Sequence, residues 1–211
     1  MGKWRQIHNP EMFQGNFRSK HYFEGWYFKL VDSTERHIYA VIPGVSLDKK
    51  ERTSHAFIQL LDGTTAKMNY FRFPLEQFWA SDEKFEIKID KNYFSQRRIH
   101  LDISREGRKL LGDLEFRNVV PWPKKPLAPG IMGWFSYVPF METYHGIVSM
   151  NHEIQGRLWV DGKPIVFNKG KGYIEKDWGA SFPSSWIWLQ SNHFKDPQLS
   201  LMVSIAKVPF L

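Results

Sequence analysis

Residues 172–192 read Gly172-Tyr173-Ile174-Glu175-Lys176-Asp177-Trp178-Gly179-Ala180-Ser181-Phe182-Pro183-Ser184-Ser185-Trp186-Ile187-Trp188-Leu189-Gln190-Ser191-Asn192. Successive side chains of an extended strand point to opposite faces. With 172–178 extended, Tyr173, Glu175 and Asp177 share one face, and Lys176 takes the other. With 185–193 extended, Trp186, Trp188, Gln190 and Asn192 share one face. A Gly/Pro/Ser turn joins the two segments. An acid beside aromatic surface suits an apolar site that must still move a proton. The same pattern also suits a hydrogen-bonded carboxylate buried in a β-core.

The rest of the chain continues this β character. Strand-like runs occur at 22–31, 37–44, 54–61, 66–72, 84–89, 97–103, 108–118, 143–150, 155–160, 164–168, 185–193 and 199–208. Turn signals separate them at Asp62-Gly63, Asp90-Lys91-Asn92, Arg105-Glu106-Gly107 and Asp161-Gly162. Pro74 opens a short helix near 75–80, and no long stretch holds a helical period. Many short strands with regular turns predict an all-β fold, a barrel or a sandwich. Residues 119–140 hold Pro121, Pro123, Pro126, Pro129 and Pro139, together with Trp122, Met132, Trp134, Phe135, Tyr137 and Phe140. Prolines resist ladders, and the aromatic residues argue against a disordered linker. The expected organisation is an N-terminal β half over 1–118, an ordered connecting loop over 119–140, and the start of a second β half over 141–211.

Composition excludes several classes. The 211 residues contain no cysteine, which removes disulfides, thiolate metal sites and a cysteine nucleophile. The start lacks the apolar core of a signal peptide, and no apolar run reaches the length of a membrane span. The expected location is cytoplasmic. The net charge is +7, but the basic residues between Lys84 and Lys109 alternate with Glu86, Asp90, Asp102 and Glu106. That mixture reads as solvated strand faces, and no nucleic-acid partner is expected. A basic surface does suit peripheral contact with anionic membranes. The histidines show no zinc spacing, so no metal site is expected. Phosphate-binding loops, dinucleotide fingerprints and nucleophile elbows are missing from the sequence.

Two further clusters matter. In Tyr22-Phe23-Glu24-Gly25-Trp26-Tyr27-Phe28-Lys29, alternation gathers Tyr22, Glu24, Trp26, Phe28 and Leu30 on one face. A carboxylate there must be paired, hydrogen-bonded or neutral. An ion pair with a core Arg or Lys competes with a role at a ligand. His145 heads a strand after the Pro-rich loop. It reads either as a hydrogen-bonded core residue or as a group orienting a carboxylate or bound hydroxyl. Nine tryptophans and 16% aromatic residues build either a large core or an aromatic-lined cavity.

Together these stretches resemble the tocopherol cyclase family. The family's Phe-Glu-Gly-Trp-Tyr run matches Phe23–Tyr27. Its Glu-Lys-Asn-Trp-Gly run matches Glu175–Gly179, with Asp177 in place of the usual Asn. The continuation Phe182-Pro183, Trp186, Trp188, Gln190, Asn192 follows in order, and the segments Asn9–Gly15 and Pro129–Trp134 match as well. The resemblance implies two packed, lipocalin-like antiparallel β-barrel halves related to carotenoid 1,2-hydratases, with this chain ending inside the second. It implies cofactor-independent protonation of a prenyl double bond in an apolar barrel cavity. Capture of the cation by a phenol oxygen makes a cyclase; capture by water makes a hydratase. The expected ligand is a prenylated quinol or other isoprenoid. Glu175 is the expected acid, by likeness to a Tyr-x-Asp element of the hydratases, with Asp177 its competitor and Tyr173 and His145 orienting groups. Glu24, Trp26, Phe28, Trp134, Trp178, Trp186, Trp188, Gln190 and Asn192 are expected to bind substrate. A non-catalytic carrier of a hydrophobic ligand needs the same cavity without the acid.

Overall fold

Alternation organises the first strand. In β1 (Tyr22–Val31), Glu24, Trp26, Phe28 and Leu30 are fully buried, and Tyr27 and Lys29 between them point the other way. The structure, a computed structural model, describes residues 3–17, 19, 21–48, 53–139 and 141–207. Phe140 and the end of the expected terminal strand, from residue 208, lie outside the described residues. A short helix α1 (Lys3–His8) precedes β1. There follow β2 (Ile38–Leu47), β3 (His55–Asp62), β4 (Lys67–Phe73), β5 (Phe78–Ala80), β6 (Glu86–Ile89), β7 (Asn92–Ser95) and β8 (Arg98–Arg105). Then come β9 (Arg108–Val120), β10 (Thr143–Val160), β11 (Lys163–Val166), β12 (Gly170–Gly179), β13 (Trp186–Ser191) and β14 (Leu201–Ala206).

The main sheet runs β4-β3-β2-β1-β12-β10-β9-β8-β7-β6-β5, with β11 paired to β10. Its strands pair antiparallel. The two end strands, β4 and β5, are consecutive in sequence and joined by a 3-10 turn at Leu75–Gln77. The sheet therefore curls round into a nearly closed, lipocalin-like barrel. One apolar cluster fills it: Trp26, Phe28, Phe71, Phe73, Phe94, Ile99, Phe116 and Ile174 all belong to it. Burying each such side chain stabilises the fold by roughly 1.5–3 kcal/mol. Two hairpin turns follow from their residues. Glu106 and Gly107 adopt φ of 54° and 74°, and Asp161 and Gly162 adopt 51° and 81°. Both central residues of a type I′ turn need positive φ, which Gly and Asp tolerate.

Several expectations change. β10 runs unbroken where two strands were expected. β5 and β7 are too short for alternation to reveal. Pro74 opens a single 3-10 turn and not a helix to residue 80. Because β10 and β12 lie in the same sheet as β1–β9, residues 143–179 complete the barrel begun at the N-terminus. The β13–β14 hairpin forms a sheet of its own.

The barrel interior also holds an ion pair. Lys176 Nζ lies 2.5 Å from Glu24 Oε1, both fully buried. The ammonium donates to Pro10 O at 2.8 Å and to Met12 O, while Glu24 accepts from the Gln14 and Gly15 amides at 3.0 Å and from Tyr22 Oη. Trp26 Nε1 donates to Glu11 O at 2.9 Å. The pair thus ties residues 10–15 to β1 and β12. Burial pulls the Lys176 pKa down and the Glu24 charge opposes it.

Candidate active site

The opposite face of β12 carries different chemistry. Glu175 stands across from Tyr27 of β1 and Ile147 of β10, and Asp177 stands across from His145. Directly opposed antiparallel residues sit about 4.5–5.5 Å apart at Cβ. Register alone therefore gathers Tyr27, His145, Glu175 and Asp177 on the outer surface of the barrel. The β13–β14 hairpin covers them. Trp188 Nε1 donates to Glu175 Oε2 at 3.0 Å, and its ring meets Tyr27 edge-on at 5.6 Å. Lys29 Nζ donates to Gln190 Oε1 at 2.8 Å, and Asn192 Nδ2 donates to Gly172 O at 2.9 Å, clamping the hairpin down.

Between the layers lies a cavity of about 500 Å³. Its floor is Tyr27, His145, Glu175 and Asp177; its roof is Trp186, Trp188, Ser204 and Ala206; its sides are Ile131, Met132, Phe135, Met141, Phe182 and Pro183. Glu142, Thr143 and Lys207 add polar groups to the lining. The walls are apolar apart from those groups and the floor, the usual make-up of a small-molecule site.

The carboxyl of Glu175 is pushed up to about 7. Burial is the main cause and the Asp177 charge adds to it; the His145 charge and hydrogen bonds from Tyr173 and Trp188 pull the other way. Tyr173 Oη donates to Oε2 at 2.5 Å, as Trp188 does at 3.0 Å. Both bonds reach Oε2, so Oε1 is the oxygen free to carry the proton. His145 Nδ1 sits 2.7 Å from Asp177 Oδ1, and Nε2 lies 3.5 Å from Glu175 Oε2. Burial alone would lower the His145 pKa, but the Asp177 hydrogen bond and charge, and then the Glu175 charge, raise it. Tyr27 is pushed up to about 12 by burial and by Glu175. The site therefore holds a carboxyl whose burial favours its neutral form beside an imidazole whose protonated form the Asp177 charge favours. Among the described residues no group of three or more His, Asp or Glu side chains could hold a metal ion.

The family model described as "Tocopherol cyclase-like" matches residues 101–207. The chain belongs to the tocopherol cyclase-like family. The chloroplastic tocopherol cyclase of Zea mays is 36% identical over 239 aligned positions, covering 90% of this chain and 50% of that protein. A probable chloroplastic tocopherol cyclase of Oryza sativa subsp. japonica is 37% identical over 62 residues, 29% of this chain and 13% of that protein. The chain spans half the length of the maize relative. Among solved structures, an AttH-type protein of Nitrosomonas europaea superposes with a TM-score of 0.52 at 16% identity. It covers 92% of this chain and 63% of the other, and speaks for the fold alone. Among the described residues no helix is long and apolar enough to cross a membrane.

Within this family frame, the residues expected at the site divide into two groups. Tyr173, Glu175, Asp177, His145, Trp186 and Trp188 come together at or against the cavity. Gln190 and Asn192 share the hairpin face but serve the clamp. Glu24, Trp26 and Phe28 stand inside the barrel, on the far side of the β1–β12 layer. Trp178 stacks on Tyr144 at 5.6 Å and lies over Lys176 at 4.6 Å, lining a separate cavity of about 330 Å³. Trp134 is exposed and stacks on Phe135, which reaches the cavity in its place. The expected barrel cavity is thus corrected: large aromatic residues occupy the barrel interior, and the ligand-sized space lies against its outer wall. Sequence reasoning missed Tyr27 and Phe182 as lining residues. Tyr27 alternates away from Trp26, and the signal that could have found it is the pairing of β1 with β12.

Proposed function

We propose that the chain catalyses acid-initiated addition across a prenyl double bond, with Glu175 as the proton donor. The observation that supports this most is a buried carboxyl, pushed up to about 7, that faces a cavity walled by tryptophans. Its Oε1–H bond breaks as a C–H bond forms at the less substituted alkene carbon. The neighbouring carbon becomes a tertiary cation, which the π-faces of Trp186, Trp188 and Phe182 stabilise. An oxygen nucleophile then forms the C–O bond. Its proton passes to the Glu175 carboxylate, directly or through His145, and the acid is regenerated. A phenol on the same molecule gives cyclisation; a water gives hydration. The walls exclude stray water from the cation. Tyr27 holds the attacking oxygen, since its hydroxyl has no hydrogen-bond partner among the described residues and it stands across from the acid.

The test uses a geranylated hydroquinone and measures turnover and binding separately. Glu175→Gln should abolish product while tryptophan quenching still reports binding. Turnover retained by that variant would remove Glu175 from the acid role. Binding without turnover in both proteins would leave a carrier of the same class of ligand.

A further inference from the structure

Three exposed apolar side chains, Trp4, Leu127 and Trp134, lie on segments tied together at Tyr137. Its ring lies 5.8 Å from Trp4 of α1. Its hydroxyl donates to Pro126 O at 2.5 Å, in the turn closed by the Lys125–Ala128 bridge. It also ends the 3-10 turn Gly133–Tyr137, whose second residue is Trp134. Trp4 is 68% exposed, Leu127 81% and Trp134 60%. A cluster of large apolar side chains left in water marks an interaction surface. Arg5 and Lys125 are exposed among them. Lys124 is tied to Glu11 at 3.1 Å and adds no free charge. Tryptophans mixed with cations are the composition that settles at a lipid–water boundary: the indole takes the interfacial region, and each cation meets anionic headgroups.

The position of this surface has a use. The same loop turns Ile131, Met132 and Phe135 inward to form the side of the 500 Å³ cavity. We infer that α1, the 125–128 turn and the 133–137 turn form a docking surface for an anionic lipid bilayer, bringing the cavity's side loop to the membrane from which a lipid-soluble ligand would enter. The net charge of +7 favours the same partner. This docking does not depend on the acid chemistry of Glu175.

Flotation of the 211-residue chain tests it, with vesicles of phosphatidylcholine alone or mixed with an equal part of phosphatidylglycerol. The chain should float with the anionic vesicles, weakly with the neutral ones, and less as salt rises. Lys125→Ala should weaken binding about fivefold. Trp4→Ser combined with Trp134→Ser should remove it, while near-ultraviolet circular dichroism and quenching by geranylated hydroquinone report an intact fold and cavity. Glu175→Gln should float like the parent, so loss of the catalytic reading and loss of the docking reading are separable. Absence of flotation with anionic vesicles overturns the proposal. So does flotation that survives both tryptophan changes, or sedimentation showing that the patch instead pairs two copies of the chain.

Discussion

Replacing Glu175 by Gln should stabilise the protein above neutral pH even as it removes activity. The carboxyl titrates at an ordinary 4.5 when exposed and at about 7 in its buried place. Between those values the native state keeps a proton that the unfolded chain has lost. The Glu175 contribution to the parent's stability therefore falls as pH rises from about 4.5 to about 7, and is level above that. The span corresponds to about 3 kcal/mol, an upper figure because the carboxyl is coupled to the His145 and Asp177 charges. Glutamine keeps an acceptor for the Tyr173 and Trp188 donors, carries no charge, and places its amide nitrogen where Oε1 stands in the parent. The parent and the variant should thus be close in stability at pH 4.5. The variant should gain steadily to pH 7 and then hold its lead. Urea denaturation at half-unit pH steps measures the difference curve. His145 contributes a slope of the same sign in both proteins, because a raised imidazole pKa gives stability that is lost as pH rises. A difference that is flat across the window, or that shrinks with pH, would refute a raised Glu175.

Three other substitutions probe separate parts of the structure. Lys176→Met should destabilise by about 3–5 kcal/mol because the Glu24 carboxyl is left buried without its partner; adding Glu24→Gln should recover part of the loss in the same urea assay. Trp188→Phe removes a hydrogen bond that favours the Glu175 carboxylate, so the acid should hold its proton to higher pH. The alkaline fall of the rate profile for geranylated hydroquinone should move up accordingly, and an unmoved profile would argue against the contact. Asp177→Asn removes the charge that raises both neighbours. The His145 imidazole, followed by NMR, and the alkaline rate limb should both shift down, and a shift in neither would remove Asp177 from the site's electrostatics.

Much of the barrel follows from period-two alternation, because one face of each long strand must bury. Glu24, Trp26, Phe28 and Leu30 could be grouped from sequence, and so could Tyr173, Glu175 and Asp177 against Lys176. Alternation says which residues share a face and is silent on what that face meets. An acid on an apolar face looks the same whether a ligand or a lysine awaits it. Glu24 therefore reads from sequence both as a substrate-binding acid and as half of an ion pair with a core Arg or Lys, and the structure supplies the pair through Lys176. The deciding information is the pairing of β1 with β12, which joins residues some 150 positions apart in sequence. No local pattern encodes such a pairing. Tyr27 was lost for the same reason: it becomes a site residue only when the register sets it opposite Glu175.

The location of the cavity then constrains how the site works. Trp26, Phe28, Phe94 and Phe116 fill the barrel among the described residues, so the proposed working surface is its outer wall. One strand serves both sides. Lys176 anchors β12 to residues 10–12 within the barrel, and that anchoring fixes the height at which Glu175 and Asp177 emerge beyond it. The roof is held differently. It rests on Trp188 and on the Lys29–Gln190 and Asn192–Gly172 clamps, none of which contributes to the barrel core. Barrel stability and cavity closure are thus carried by separate contacts on opposite faces of β1 and β12. On the proposed mechanism, loosening the hairpin would admit water to the cation and lower the Glu175 pKa by rehydrating it. Activity should therefore fail well before the barrel unfolds.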